Sequence, residues 1–408
     1  MSTNTDQFRI LDRRYLSVSN IPYFVDEDGR ILLDRAWHHD LIQHLEYLPG
    51  YVLAAPRRTA PAEKADLVPL DAETQKRMKL VPLPAPASRA GAMLSLPRTL
   101  VRIWRAVGRS DIVHSGIAGW PYPLGWLAVP LARIRRKKIV MIVESAPWRS
   151  PAGSRHPTLR KRVEAAVYET LGRWGCGLAD VSFYTQPAYR EQFHRRGRGP
   201  AFVAPATWVN AEDVLDDGQA EASWDEKTRQ PVRFLFAGRW VAEKGIEILL
   251  AAAQTLVKAG VRGSLDLVGD GPLRSAVMAA ARDGPFSIRY FEPIANGKPF
   301  LDFLQSYHVA VIPSLTDEQP RIVFDAAARA VAVLASDTDG LRPHVEHKRT
   351  GILVPPGNAA ALAQAMVDMV NAGPQLRAMA IEALRQVRSH THRSMHVERS
   401  RLLAQHLL

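Results

Sequence analysis

The sequence predicts an α/β protein built from two Rossmann-like domains. Three observations carry this. Short apolar runs of strand length alternate with segments of helical period along most of the chain. Several of these runs end in glycine, as strands do where they turn into helices. The 408 residues are enough for two domains, each burying its own core.

In chain order, a first strand with its exit loop reads from Tyr15 to Phe24. Asp34 is placed to cap a helix carrying Trp37, Leu41, Leu45 and Leu48, and Tyr51 to Pro56 supplies the next strand. Residues 57–90 read as a long connection rich in proline, alanine and charge. Pro97 marks the start of another helix, followed by the strand DIVHSGI. Residues 117–134 form an apolar segment with Pro121, Pro123 and Pro130; their place between two strand-like runs favours a buried crossover helix over a membrane span. The strand ending at Glu144, a helix over Leu159 to Trp174, the strand VSFYT, a helix through Phe193 and the strand FVAPA complete a domain over residues 1–206.

Residues 207–231 show little periodicity and many charges and read as a linker. A second domain over 232–390 alternates through VRFLFAG, SLDLVGDGP, FSIRYFE, HVAVIPS and AVLASD. A last helix over 391–408 carries Val397, Leu402, Leu403 and Leu407.

Composition narrows the function classes. Hydrophobic residues make up 47% and charged residues 23%, values of a globular protein. A single cysteine, Cys176, rules out an internal disulfide and a cysteine-based metal cluster, and the N-terminus lacks the apolar core of a signal peptide. These features point to the cytoplasm, either free or on the inner face of the membrane. Residues 1–200 hold 31 Lys and Arg against 18 Asp and Glu, whereas the remainder is near neutral. Such a basic half suits an anionic partner, with the run from Arg133 to Lys138 as the candidate contact for anionic lipid headgroups, or else a solvated basic surface. His38, His39 and Asp40 have metal-ligand side chains but no companion cluster in sequence, and read as a solvated helix face. No GlyXGlyXXGly with a downstream ribose acid is present, which argues against a nicotinamide dehydrogenase.

Three stretches of the second domain carry chemistry. In FAGRWVAEKGIEILL, Gly238 ends a strand, Arg239 follows, and Lys244 opens a helix; two cations beside helix amides form an anion site. LVGDGP places Gly269 and Gly271 in a second turn after a strand. In PSLTDEQPRIVFDAAARA, Asp317 and Glu318 lie between a strand and a helix, and Asp325 lies about two helical turns further on, at the rim where ligands bind to open α/β sheets. His114 and Glu144 are assigned to strand ends in the first domain, as candidates to touch a transferred group or an acceptor.

The acidic stretch resembles the signature of retaining GT-B glycosyltransferases of family 4, the glycosyl transferases group 1, in which two carboxylates stand eight positions apart. Here the pair is Asp317 and Asp325 where the family usually has Glu, and Glu318 is a possible stand-in for Asp317. The glycine turns and the closing LVPPGN follow the same order as in the family, so the resemblance covers 232–370 closely and the first domain thinly. It implies two Rossmann-like domains facing a central cleft, with the C-terminal helix packing back on the first. The implied activity is metal-independent transfer of a hexosyl group from a UDP- or GDP-sugar, with retention, to a saccharide or lipid-linked acceptor in cell-surface polysaccharide or glycolipid synthesis. No cofactor besides this donor substrate and no nucleic acid partner are expected. On the resemblance, Arg239 and Lys244 hold the diphosphate, Asp317 or Glu318 grips the sugar, and Asp325 receives the ribose. A degenerate scaffold subunit or a sugar-nucleotide epimerase of the same fold is the alternative.

Overall fold

The computed structural model describes residues 7–59, 67–149, 158–316 and 318–408. Asp317, a central residue of the acidic stretch, therefore lies outside the described residues. The chain forms two compact units: one comprises residues up to 148, 158–208 and 393–408, and the other is built chiefly from 209–392.

In the first unit, seven strands lie parallel in the order Ala201–Val203, Val181–Tyr184, Lys138–Val143, Ile112–Gly116, Arg14–Val18, Gly50–Thr59, Met78–Leu83. Three short strands, Tyr23–Val25, Ile31–Asp34 and Leu67–Pro69, extend the far end of Gly50–Thr59. The expected connection over 57–90 therefore holds regular structure, including the helix Ala72–Lys76. Its Asp71 cap and the proline in the strand Met78–Leu83 hid that order behind loop-like composition. One face of the sheet is covered by the helices Arg89–Gly108, Gly125–Ile134 and Leu159–Leu178, with Ile103, Val107, Ala128, Val129 and Cys176 in the core beneath them. The other face carries Arg35–Leu45 and the C-terminal helix His392–Leu407, whose Leu402, Leu403 and Leu407 join a separate core.

Local signals explain most of these elements. Asp34 accepts from the amides of Ala36 and Trp37 and so starts Arg35–Leu45 as expected. Pro97 lies inside a helix instead of at its start. Ser88 is the cap, its hydroxyl accepting from the Gly91 amide at 3.1 Å, and it sets the boundary nine residues earlier. Of the apolar segment 117–134, only Gly125–Ile134 is helical, and no described helix is long and apolar enough to cross a membrane.

The second unit is a six-stranded parallel sheet in the order Phe286–Phe291, Gly263–Val268, Arg233–Ala237, Val309–Ile312, Ala332–Ser336, Gly351–Val354. Numbered along the chain, this is 3-2-1-4-5-6, the doubly wound order that reverses between its first and fourth strands. The stretch expected as a linker belongs to this unit. Asp216 and Gln219 form a reciprocal capping box that starts the helix Asp217–Lys227, and buried Trp224 donates from Nε1 to the Ala330 carbonyl at 2.8 Å. Exposed charges on the outer side of that short helix masked its one buried stripe.

Candidate active site

The point of reversal in the second sheet fixes where a ligand crevice must lie. Strands Arg233–Ala237 and Val309–Ile312 pair side by side, and their connections leave in opposite directions, so the loops at their C-terminal ends part and open a gap. Those loops are Gly238–Lys244 and Pro313–Glu318, which hold most of the residues singled out in the second domain.

Close packing sets the geometry of the gap. Gly245 has φ +72°, and a Cβ on it would meet the Pro313 carbonyl oxygen at 1.8 Å, so only glycine lets the two loops approach this closely. The Leu315 amide donates to the Glu243 carbonyl at 2.9 Å and ties them together. The helix Ile246–Lys258 starts at this junction with no side-chain cap, so no side chain of its own N-cap occupies its first amides.

Arg239 is exposed at the mouth, and Lys244 is partly buried. Lys244 Nζ lies 3.7 Å from Glu318 Oε2, which brings a cation and a carboxylate together across the two loops. The LVGDGP turn forms the adjoining wall. Gly238 donates to the Val268 carbonyl at 3.0 Å, and a Cβ on Gly269 would meet the Gly238 oxygen at 2.0 Å. Gly271 approaches the backbone of Trp240 in the same way. Trp240 is fully buried and pins the loop, donating through its amide to the Asp270 carbonyl and accepting from the Leu273 amide. Sequence reading missed Trp240 because a tryptophan beside an arginine in a loop looks like a surface residue.

Asp325 sits in the helix Ile322–Ala328, one element beyond Glu318. Burial pushes its carboxyl up to about 7; Arg321 opposes the shift and Asp213 adds to it. Asp213 was not anticipated, since it precedes Asp325 by more than a hundred residues in the segment read as linker. A carboxyl held this high lacks the solvation an ion needs, and hydroxyl donors from a ligand would supply it.

The first unit departs from expectation at two places. His114 does not end its strand: Ile112–Gly116 continues past it, with His114 in register with Ser17. Its ring meets Tyr15 edge-on at 5.8 Å, and burial, aided by His44 and Arg399, lowers its pKa to about 3. Glu144 does follow the end of Lys138–Val143 and is exposed. The His38–Asp40 stretch is no solvated face. Asp40 bridges two imidazoles, accepting from His44 Nδ1 at 3.1 Å and from His396 Nε2 at 3.0 Å, while the Tyr47 hydroxyl lies 3.2 Å from His396 Nδ1. The Asp40, His44 and His396 donor atoms lie within 4.8 Å of one another, as metal ligands would. The buried Arg399 guanidinium, 3.5 Å from His44 Nε2, already brings a positive charge there, so we read the cluster as a hydrogen-bonded latch on the C-terminal helix.

Comparison with known proteins gives the crevice its context. Residues 231–372 match the family described as Glycosyl transferases group 1. That glycosyltransferase segment contains both parted loops, the LVGDGP turn and Asp325. Alpha-D-kanosaminyltransferase of Streptomyces kanamyceticus is 25% identical over 355 residues, covering 83% of this chain and 87% of that one. O-antigen chain mannosyltransferase C of Escherichia coli is 31% identical over 166 residues, 40% of this chain and 43% of that one, so this alignment spans less than half of either protein. HepE of Anabaena, solved in complex with UDP-glucose, superposes with a TM-score of 0.63 at 12% identity over 96% of this chain and 99% of that one, a likeness of fold. Together the matched domain and the relatives support a GT-B glycosyltransferase of two Rossmann-like domains.

Proposed function

We propose that this protein transfers a hexosyl group from a nucleotide diphosphate sugar to an acceptor hydroxyl with retention of configuration, without a metal. The observation that carries the reading is the crevice between Gly238–Lys244 and Pro313–Glu318, where an uncapped helix start, Lys244 and exposed Arg239 converge with a carboxylate. Arg239, Lys244 and the helix amides neutralise the diphosphate as the bond from the anomeric carbon to its oxygen breaks. The acceptor oxygen forms its bond on the same face of the sugar, and its proton passes to the departing diphosphate oxygen. Asp317, with Glu318 beside it, grips sugar hydroxyls, and Asp325 receives ribose hydroxyls.

A UDP-sugar is the first donor to try, since HepE was solved with UDP-glucose, and a GDP-sugar is the second. A saccharide or lipid-linked acceptor in cell-surface polysaccharide or glycolipid synthesis fits both the relative that acts on an O-antigen chain and the basic first unit. Glu144, exposed at its strand end, is the first-unit candidate for acceptor contact. The reading places the enzyme in the cytoplasm at the inner face of the membrane. The test is release of nucleotide diphosphate from a panel of UDP- and GDP-sugars, followed by NMR of the product's anomeric proton. No release with any donor would reject transfer, and an inverted anomer would reject retention.

A further inference from the structure

Among the described residues, the two outer helices on one face of the first sheet bury one side and expose apolar side chains on the other. In Arg89–Gly108, Met93, Leu94, Pro97 and Val101 recur at helical spacing on the exposed side, with Leu94 85% exposed. In Leu159–Leu178, Leu159, Val163, Val167 and Trp174 do the same, with Leu159 77% exposed. Between them Gly125–Ile134 packs against both helices and ends in exposed Ile134. Large aliphatic side chains scattered singly are ordinary on a surface, but two stripes on the helices that flank a third in one layer are not.

The charges around the stripes have one sign. Arg89–Gly108 and Gly125–Ile134 contain no acidic residue, and the two glutamates of Leu159–Leu178 are paired: Glu164 with Arg89 and Glu169 with Arg173. Arg98, Arg105, Arg160, Lys161 and Arg162 flank the stripes, and the run from Arg133 to Lys138 leaves the middle helix. The Arg135 guanidinium stacks on the ring of Trp104 at 3.7 Å, a cation on an aromatic platform where the middle helix ends. Beyond the end of the third helix, a cavity of about 710 Å³ is lined by Arg173, Trp174, Leu178, Phe193, Arg195 and Arg196, which joins an apolar wall to three cations.

We propose that this three-helix face is a membrane-docking surface that lies on an anionic bilayer, its aliphatic stripes in the acyl boundary and its arginines among the headgroup phosphates. It deepens the reading of a lipid-linked acceptor and rests on it for its purpose. The charge pattern complements an anionic leaflet, and only a bilayer also offers an apolar layer to the side chains between the charges. A nucleic acid would pair with the arginines but leave Leu94, Leu159 and Val163 in water.

The test uses the full chain in flotation with phosphatidylcholine vesicles, with and without phosphatidylglycerol, from about 0.1 M to about 0.5 M NaCl. The expected result is flotation with the anionic vesicles and a part of it that survives high salt. Leu94→Glu and Val163→Glu, both at exposed sites, should each weaken it about tenfold or more. Both variants should keep the UDP-induced thermal shift, which reports the second unit. Flotation absent with anionic vesicles, or abolished by salt and indifferent to both variants, would overturn the proposal in favour of a solvated basic surface. A lipid-free dimer that Leu94→Glu dissociates would overturn it in favour of contact between copies of this chain, and full displacement from vesicles by an oligonucleotide in favour of a nucleic acid. Stripe-dependent flotation with no donor turnover would leave the surface standing and reject the transfer reading; turnover without flotation would do the reverse.

Discussion

Arg239 and Lys244 meet the crevice from one loop, yet they stand in different surroundings: the first is exposed and the second lies 3.7 Å from Glu318. Replacing either with alanine should cost roughly 2–4 kcal/mol of transition-state stabilisation, read as kcat/KM in the nucleotide-release assay with the fold unchanged by circular dichroism. Near wild-type turnover in both would remove the diphosphate from this site. The carboxylates divide differently. Glu318 is drawn toward Lys244, and the proposed sugar contact falls to Asp317, which holds the position of the acidic signature in sequence. Asp317→Asn should therefore be the more damaging change, by about 1.5–3 kcal/mol, and Glu318→Gln the milder one. The opposite ranking would shift the register by one residue. Asp325→Asn should chiefly raise the donor KM, because a ribose contact is present before and during transfer. The loop that holds Arg239 and Lys244 was legible because Gly238 and Gly245 bracket it beside a strand end, a short-range signal. Asp213 and Trp240 were not, since their importance comes from what packs on them across distant sequence.

Elements carry a second set of consequences. The two parted loops depend on Gly245, so Gly245→Ala should strain a left-handed backbone and push Pro313 away, lowering thermal stability by about 1–3 kcal/mol and reducing donor affinity together. A stable variant with normal donor affinity would show that the loops need no such contact. The alternation of strands and helices was readable from period alone, and so were five strands of the second sheet; the sixth, Gly351–Val354, was read as a glycine turn. Boundaries failed where a cap outranked a proline, as at Ser88, or where charge covered a single buried stripe, as in Asp217–Lys227. The latch joining Asp40 to His396 spans 356 residues, and no local pattern announces it.

The two units should respond differently to acid. In the first unit His114 is lowered to about 3 and His396 well below its ordinary value, both by burial. The unfolded chain takes up protons near pH 6.5 that the folded unit refuses, so stability falls with acidification by about 1.4 kcal/mol per pH unit for each such histidine below that point. The second unit has His308 and His344 lowered to about 4, but Asp325 raised to about 7 works in the other sense. The stability Asp325 contributes is present in full below the ordinary carboxylate range and is lost as pH rises through about 7, so it offsets one histidine. Calorimetry between about pH 7 and pH 5 should show the first unit's transition falling faster than the second's. Parallel shifts would contradict the histidine assignments.

The return of residues 393–408 to the first unit also bears on how the chain is made. Synthesis runs from the N-terminus, and the strands of the first sheet emerge long before the helix that covers Tyr47, His44 and their neighbours. The second unit, almost continuous in sequence, has all its strands once residue 354 is out. The nascent first unit must therefore wait, with one apolar face of its sheet covered only in part by Arg35–Leu45, until the helix His392–Leu407 leaves the ribosome, while the later-made unit is already free to fold.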